Sequence, residues 1–229
     1  FNKKLSKLKL FFYSFFSISM SISMFITGGR AGQVVFFIML AILIFQIFNK
    51  QKIKALLVLS IMTPIIFLTA YHSSPIFMER FDAAINDVII YSDNNDTSVG
   101  QRITFMNNSL DVIKQNLIIG VGTGDFPNEY KKINQINSPD LPNATNPHNM
   151  YILVLTQLGI VGLASMLSIF YYQIKLSFNS SNRLIRDTGF TLPLLFLVLM
   201  LSDSYLLGHF TSLMFVFFSS FLYKDFEQN

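Results

Sequence analysis

The chain contains no cysteine, which excludes disulfides and thiolate metal sites. Its three histidines, His72, His148 and His209, lie far apart in the sequence, and that spacing argues against a histidine-based zinc site. Charge is scarce. Only 13% of residues are charged, against about a quarter in an ordinary soluble domain. The net charge of +4 is small, and its basic residues sit in short connectors, so no nucleic-acid partner is expected. The run Gly120-Val121-Gly122-Thr123-Gly124 follows a helical pattern and carries no Gly-Lys-Ser/Thr. It is therefore a helix stop with left-handed residues rather than a nucleotide fingerprint.

In place of charge there is apolar length. Hydrophobic residues make up 52% of the chain, and 25 residues are phenylalanine. Several runs approach the roughly 20 residues that cross a hydrocarbon core. The fold class expected is all-α and integral to the membrane, a polytopic helix bundle. Residues 10–71 read as three spans: Leu10 to Thr27, Gln33 to Phe48 and Ala55 to Tyr71. Residues 72–146 form a large polar loop, and residues 147–174 a fourth span. The last apolar block, 189–223, is long enough for two short helices with a turn near Asp203 to His209, or for one long span plus an interfacial helix. The first run is too long for a secretory signal peptide and lacks a small-residue cleavage site. A chain opening on Phe1 and a basic stretch is expected to be the C-terminal part of a longer protein.

Lysine and arginine set the orientation. Lys3, Lys4, Lys7 and Lys9 precede the first span, and Lys50, Lys52 and Lys54 join the second and third. Lys175, Arg183 and Arg186 follow the fourth, and Lys224 follows the last block. With six spans these fall on one side, which the positive-inside rule makes the cytoplasm. Arg30 and the 72–146 loop then face outwards.

The loop is partly helical. Phe77, Phe81, Ala84, Ile85, Val88 and Ile89 follow helical spacing, as do Ile103, Met106, Leu110, Ile113 and Leu117. These give two amphipathic helices, separated by the polar turn Asp93-Asn94-Asn95-Asp96-Thr97-Ser98. Residues 134–145, rich in Asn and Pro, are expected to be irregular. Asp93 and Asp96 have no further carboxylate close in sequence, so they read as solvated rather than as a cation site.

Three polar clusters share the outer face: Gly28-Gly29-Arg30, Gln101-Arg102 and Pro147-His148-Asn149. Two arginines and a histidine there suit a lipid-borne phosphate. Glycines let a ligand approach the backbone, and a guanidinium binds phosphate in bidentate fashion. The alternative for Arg30 is a headgroup anchor at a span end. The alternative for Arg102 is a solvated arginine paired with Asp96, at a helix start capped by Ser98 or Gly100. Asn146 reads as an N-cap and Pro147 as the first helical position, which puts His148 in the first turn of the fourth span. A helix N-terminus disfavours imidazolium, so the ring is expected to accept a proton; an interfacial anchor is the alternative. His72 and His209 read as interfacial. Asp203 is unusual within an apolar block, although its place near the outer turn argues for a lesser role. Arg80, Lys114, Lys131 and Lys132 receive none.

The order of motifs resembles a known family. A Gly-Arg turn between two spans precedes a large loop containing Gly100-Gln101-Arg102-Ile103, then Leu117-Ile118-Ile119-Gly120-Val121-Gly122-Thr123-Gly124-Asp125-Phe126. Pro147-His148-Asn149-Met150-Tyr151 follows, then Gln157-Leu158-Gly159-Ile160-Val161-Gly162. Over about residues 20–170 the chain is similar to the O-antigen ligase and polymerase superfamily. The resemblance implies a GT-C-like membrane glycosyltransferase of the bacterial inner membrane, with its active site facing the periplasm. It implies an undecaprenyl-diphosphate-linked glycan as donor and lipid A-core, another glycan or a protein as acceptor, among membrane lipids, with no cofactor or metal. Arg30, Arg102 and His148 match the family's catalytic positions, and Arg30, Arg102 and Asn149 would bind substrate. Gly29 stands where the family has serine, Phe105 where tryptophan is common, and Leu117 or a neighbour where proline is often found. A polymerase and a protein glycosyltransferase share the donor chemistry. A lipid or polysaccharide transporter is the more distant alternative; it calls for broken helices and charges near the bilayer midplane.

Overall fold

A computed structural model describes residues 6–223; the side chains of Arg183 and Leu184 lie outside the description. Of the orientation-setting residues, Lys3, Lys4 and Lys224 also fall outside it. Every regular element among the described residues is a helix. Four of these helices are long and apolar enough to cross a membrane, as a multi-pass membrane protein requires. The chain divides into two compact units, Phe1–Ile85 and Asn86–Asn229.

In the N-terminal unit, α1 (Lys7–Ile26), α2 (Arg30–Ile47) and α3 (Lys52–Ser73) are the first three candidate spans. Their apolar side chains largely face outwards. Phe11, Phe15 and Ile18 are more than half exposed, a pattern suited to lipid rather than water. Inside, Phe25 makes edge-to-face contacts with Phe36, Phe37 and Phe77 at 5.2–5.9 Å, the geometry that ring quadrupoles favour. At the end of α3, Ser74 Oγ donates to the Phe25 carbonyl (2.7 Å) and accepts from Phe77 N. That hydroxyl fixes the corner into α4 (Pro75–Ile89), which runs across the boundary between the units.

The C-terminal unit holds α5 (Ser98–Gln115), α6 (Phe126–Asn137) and α7 (Met150–Asn179), followed by α8 (Arg183–Gly189), α9 (Thr191–Leu199) and α10 (His209–Leu222). Helix α7 is the fourth candidate span. The last apolar block is two short helices joined through residues 200–208. The cap of α5 is Thr97, whose hydroxyl accepts from Gly100 N, rather than Ser98 or Gly100. Thr97 has the extended backbone a cap needs, whereas Ser98 and Gly100 already lie within the helix.

The structure adds a helix, α6, to the two read from the loop. Its buried face carries Phe126, Tyr130 and Asn134, one every fourth residue. Asn134 is 2% exposed and fully engaged. Its Nδ2 donates to the Leu141 carbonyl and to Asn143, and its Oδ1 accepts from Asn108 Nδ2 and the Tyr130 hydroxyl, all within 3.0–3.3 Å. Burial pushes the Tyr130 phenol above its ordinary pKa, which keeps it a neutral donor in this network. Asn134→Ala is expected to strand several of these groups and to cost about 3 kcal/mol. Thermal unfolding of the purified protein in detergent checks this; an unchanged midpoint would remove the network from the stability of the unit.

Candidate functional site

The loop before α7 is held by asparagines. Asn149 is the cap of that helix: its backbone is extended, and its Oδ1 accepts from Tyr151 N and Ile152 N. The sequence reading placed the cap at Asn146 and His148 inside the first turn. The structure corrects both. Asn146 Oδ1 instead accepts from His148 N (3.0 Å) and from the Ser204 hydroxyl (2.7 Å), closing a local turn. His148 lies just outside the helix with φ of +52°, a left-handed conformation that histidine tolerates better than most residues. The substitution of one cap for another follows from competition. Ser204 and His148 claim the Asn146 side chain, so the next asparagine serves the helix.

This geometry presents the imidazole. His148 Nδ1 lies 3.2 Å from Asp203 Oδ1. Asp203 comes from the 200–208 linker, and its carboxylate also accepts from Ser204 N. A carboxylate accepts, so in the neutral ring the hydrogen sits on Nδ1 and the Nε2 lone pair is the one left to accept. Nε2 makes no hydrogen bond among the described residues. Behind the ring, Phe105 stacks at 6.3 Å and 22°. Phe105 is braced edge-to-face by Tyr130, which stacks on Phe126. Helix α6 thus supports the histidine through two aromatic contacts.

Arg102 lies in the first turns of α5, one turn before the Phe105 that stacks on His148. It is exposed and makes no ion pair or hydrogen bond among the described residues. Asp96 does not pair with it; the Asp96 carboxylate accepts from Gln101 Nε2 at 2.7 Å. Asn149 has its amide committed, with Oδ1 on the α7 backbone and Nδ2 donating to the Leu201 carbonyl at 3.2 Å. These bonds let Asn149 hold the loop against α7 and the 200–208 linker. His72 ends α3 and His209 begins α10, both exposed.

Arg30 belongs to the N-terminal unit and is the first residue of α2. Gly29 precedes it and gives the helix no side-chain cap, so among the described residues the first-turn N–H groups stay uncapped at a positive helix end. Gln33 Nε2 reaches back to the Thr27 carbonyl at 3.1 Å and closes the turn. Arg80, given no role from sequence, lies over this turn. A methyl group on Gly28 would sit 3.4 Å from Arg80 Nε. The Arg80 guanidinium therefore attends the glycine turn that precedes Arg30, 50 residues away in the chain, a separation that hides the contact from any local motif.

Asp203 is the other residue that sequence reasoning undervalued. The available signal was a lone acid in an apolar block. An apolar groove of about 530 Å³ begins at Met150, beside this loop, and runs along α7 past Val154, Leu158 and Met166.

Residues 15–167 match the family model described as O-antigen ligase. An uncharacterized protein of Haemophilus influenzae is 30% identical over 155 residues, covering 63% of this chain and 37% of the relative. The chain thus spans well under half the length of that relative.

Proposed function

Because the chain belongs to the O-antigen ligase family, we propose that it forms the donor-handling part of a membrane glycosyltransferase, moving a glycan from undecaprenyl diphosphate to an acceptor hydroxyl of lipid A-core at the periplasmic face of the inner membrane. The observation that carries this reading is the His148–Asp203 pair, held at 3.2 Å with Nε2 free to accept. Nε2 takes the proton as the acceptor oxygen attacks the anomeric carbon. The carbon–oxygen bond to the diphosphate breaks on the opposite side. Arg30 and Arg102 neutralise the charge that gathers on the departing diphosphate. Asp203 holds the ring and is a positioning residue. The uncapped start of α2 and the Arg80 guanidinium beside Gly28 suit the same anion. The groove from Met150 suits the apolar tail of the donor or acceptor lipid.

In vitro transfer from a synthetic undecaprenyl-diphosphate glycan by the full-length protein tests this. Arg30→Ala and Arg102→Ala are each expected to lower kcat about 10²–10³-fold, the usual consequence of losing one donor to a developing charge. Arg80→Ala is expected to act mainly on the KM for donor. Transfer is expected to persist in chelator, since two guanidiniums fill the electrostatic role of a metal. Near-normal transfer by either of the first two variants would remove that arginine from the mechanism, and loss of activity in chelator would overturn the metal-free proposal.

Polymerase and protein-glycosylating readings keep the same donor chemistry, and the lipid products accumulated by an inactive variant separate them. A transporter calls for broken helices, and α7 is broken at Gly159. That break is closed by backbone hydrogen bonds from residues 117–122 and carries no ionisable side chain, which favours transfer over transport.

A further inference from the structure

Helix α7 is interrupted where Gly159 adopts φ of +63°. A break inside a membrane span frees backbone groups that lipid cannot satisfy. Here four of them find protein partners, and all four partners come from one segment. Val121 N donates to the Thr156 carbonyl and Gly122 N to that of Gln157, both at 2.9 Å. In return Ile160 N donates to the Leu117 carbonyl at 2.9 Å and Val161 N to that of Ile118 at 3.4 Å. The exchange runs in both directions, as in a short piece of sheet. Gly120 and Gly159 face this seam. A side chain on Gly159 would strike the Ile118 backbone, and one on Gly120 the Gln157 backbone.

The depth of the seam follows from the far end of the helix. Lys175 lies near the C-terminal end of α7, on the side where a snorkelling cation marks the interface. Counting back about 20 residues for the hydrocarbon core reaches the neighbourhood of Leu155. Gly159 then lies about 6 Å inside the core at 1.5 Å per residue. The backbone bonds carry residues 117–121 to that depth. What they expose there is apolar: Ile118 is 68% and Ile119 75% exposed. Leu158, Ile160 and Val161 of α7 are exposed beside them. In water two adjacent isoleucines on a loop would be costly; among acyl chains they are at home.

We propose that residues 117–121 form a re-entrant element that dips among the acyl chains of the bilayer, pinned there by the broken α7. The segment following α5 is then an intramembrane wedge rather than part of a water-exposed loop. It anchors the C-terminal end of α5 in the membrane, while Arg102 and Phe105 at the other end serve the His148 site. This inference depends on α7 spanning the bilayer and not on the transfer reaction.

Single cysteines at positions 118 and 119 test it in the full-length protein, in a cysteine-free background reconstituted into phosphatidylethanolamine/phosphatidylglycerol vesicles. Each is spin-labelled, and collision rates with oxygen and with a water-soluble nickel chelate are compared. Ile169→Cys, more than half exposed on α7, provides the lipid reference, and Asp93→Cys in the polar turn the aqueous one. Labels at 118 and 119 are expected to favour oxygen over nickel, as at 169. A nickel preference like that at 93 would overturn the proposal by placing the segment in water. Low access to both reagents would also overturn it, by showing that protein rather than lipid covers the isoleucines. Both side chains are exposed, so the substitutions remove little packing, and circular dichroism checks that the helices remain.

Discussion

Replacing His148 by alanine is expected to lower glycan transfer about 10²–10⁴-fold, the usual range for a positioned proton acceptor, while the protein still reaches the membrane in normal amounts. Folding should survive because the ring is only partly buried and its one side-chain polar bond among the described residues is to Asp203. The loop keeps its Asn146 and Asn149 turns without it. A companion change separates chemistry from scaffolding. Asp203→Asn keeps the shape, but its amide can also offer a hydrogen to Nδ1 and so favour the tautomer whose Nε2 cannot accept. The expected loss is about ten- to a hundredfold, less than for a fully buried triad acid, because a third of this carboxylate is open to water. The loss should fall on kcat and leave the donor KM in place. Asp203→Glu should recover part of it. Transfer near wild type for His148→Ala would sink the proton-acceptor role, and equal losses in kcat/KM and in expression would recast Asp203 as structural.

The second large effect is expected at a residue with no side chain. Gly159→Ala should displace the 117–122 segment from α7, costing at least about 3 kcal/mol from the left-handed backbone and the broken seam bonds together. Gly120→Ala should do the same from the opposite side, since each methyl meets backbone rather than a yielding side chain. Gly124 is the control. It also has positive φ, but a methyl there meets nothing within 4 Å, so Gly124→Ala should cost only the strain, about 1 kcal/mol. Thermal denaturation and limited proteolysis of the detergent-solubilised protein read the difference. If Gly159→Ala unfolds with the wild-type midpoint, the interlock is not holding the unit together.

What a sequence shows well is what neighbouring residues settle among themselves. The α1, α2, α3 and α7 spans follow from apolar length, and the left-handed glycines at 120, 122 and 124 from their spacing. Helix α6 escaped because its buried face reads Phe126, Tyr130, Asn134. The third position is polar, and its burial is tolerated only because Asn108, Leu141 and Asn143 come to meet it. The α7 cap moved from Asn146 to Asn149 for the same kind of reason, because Ser204, 58 residues away, takes up the first asparagine.

Composition and span length alone determined that this chain is an all-helical membrane protein, and motif order alone determined its family. Tertiary structure decided which acid holds His148, which arginine lies beside Gly28, and which segment closes the break in α7. The physical reason is range. Hydrophobic transfer and helix formation are summed over adjacent residues, so they leave a readable local pattern. A hydrogen bond between residues 55 positions apart leaves none until the chain has folded around it.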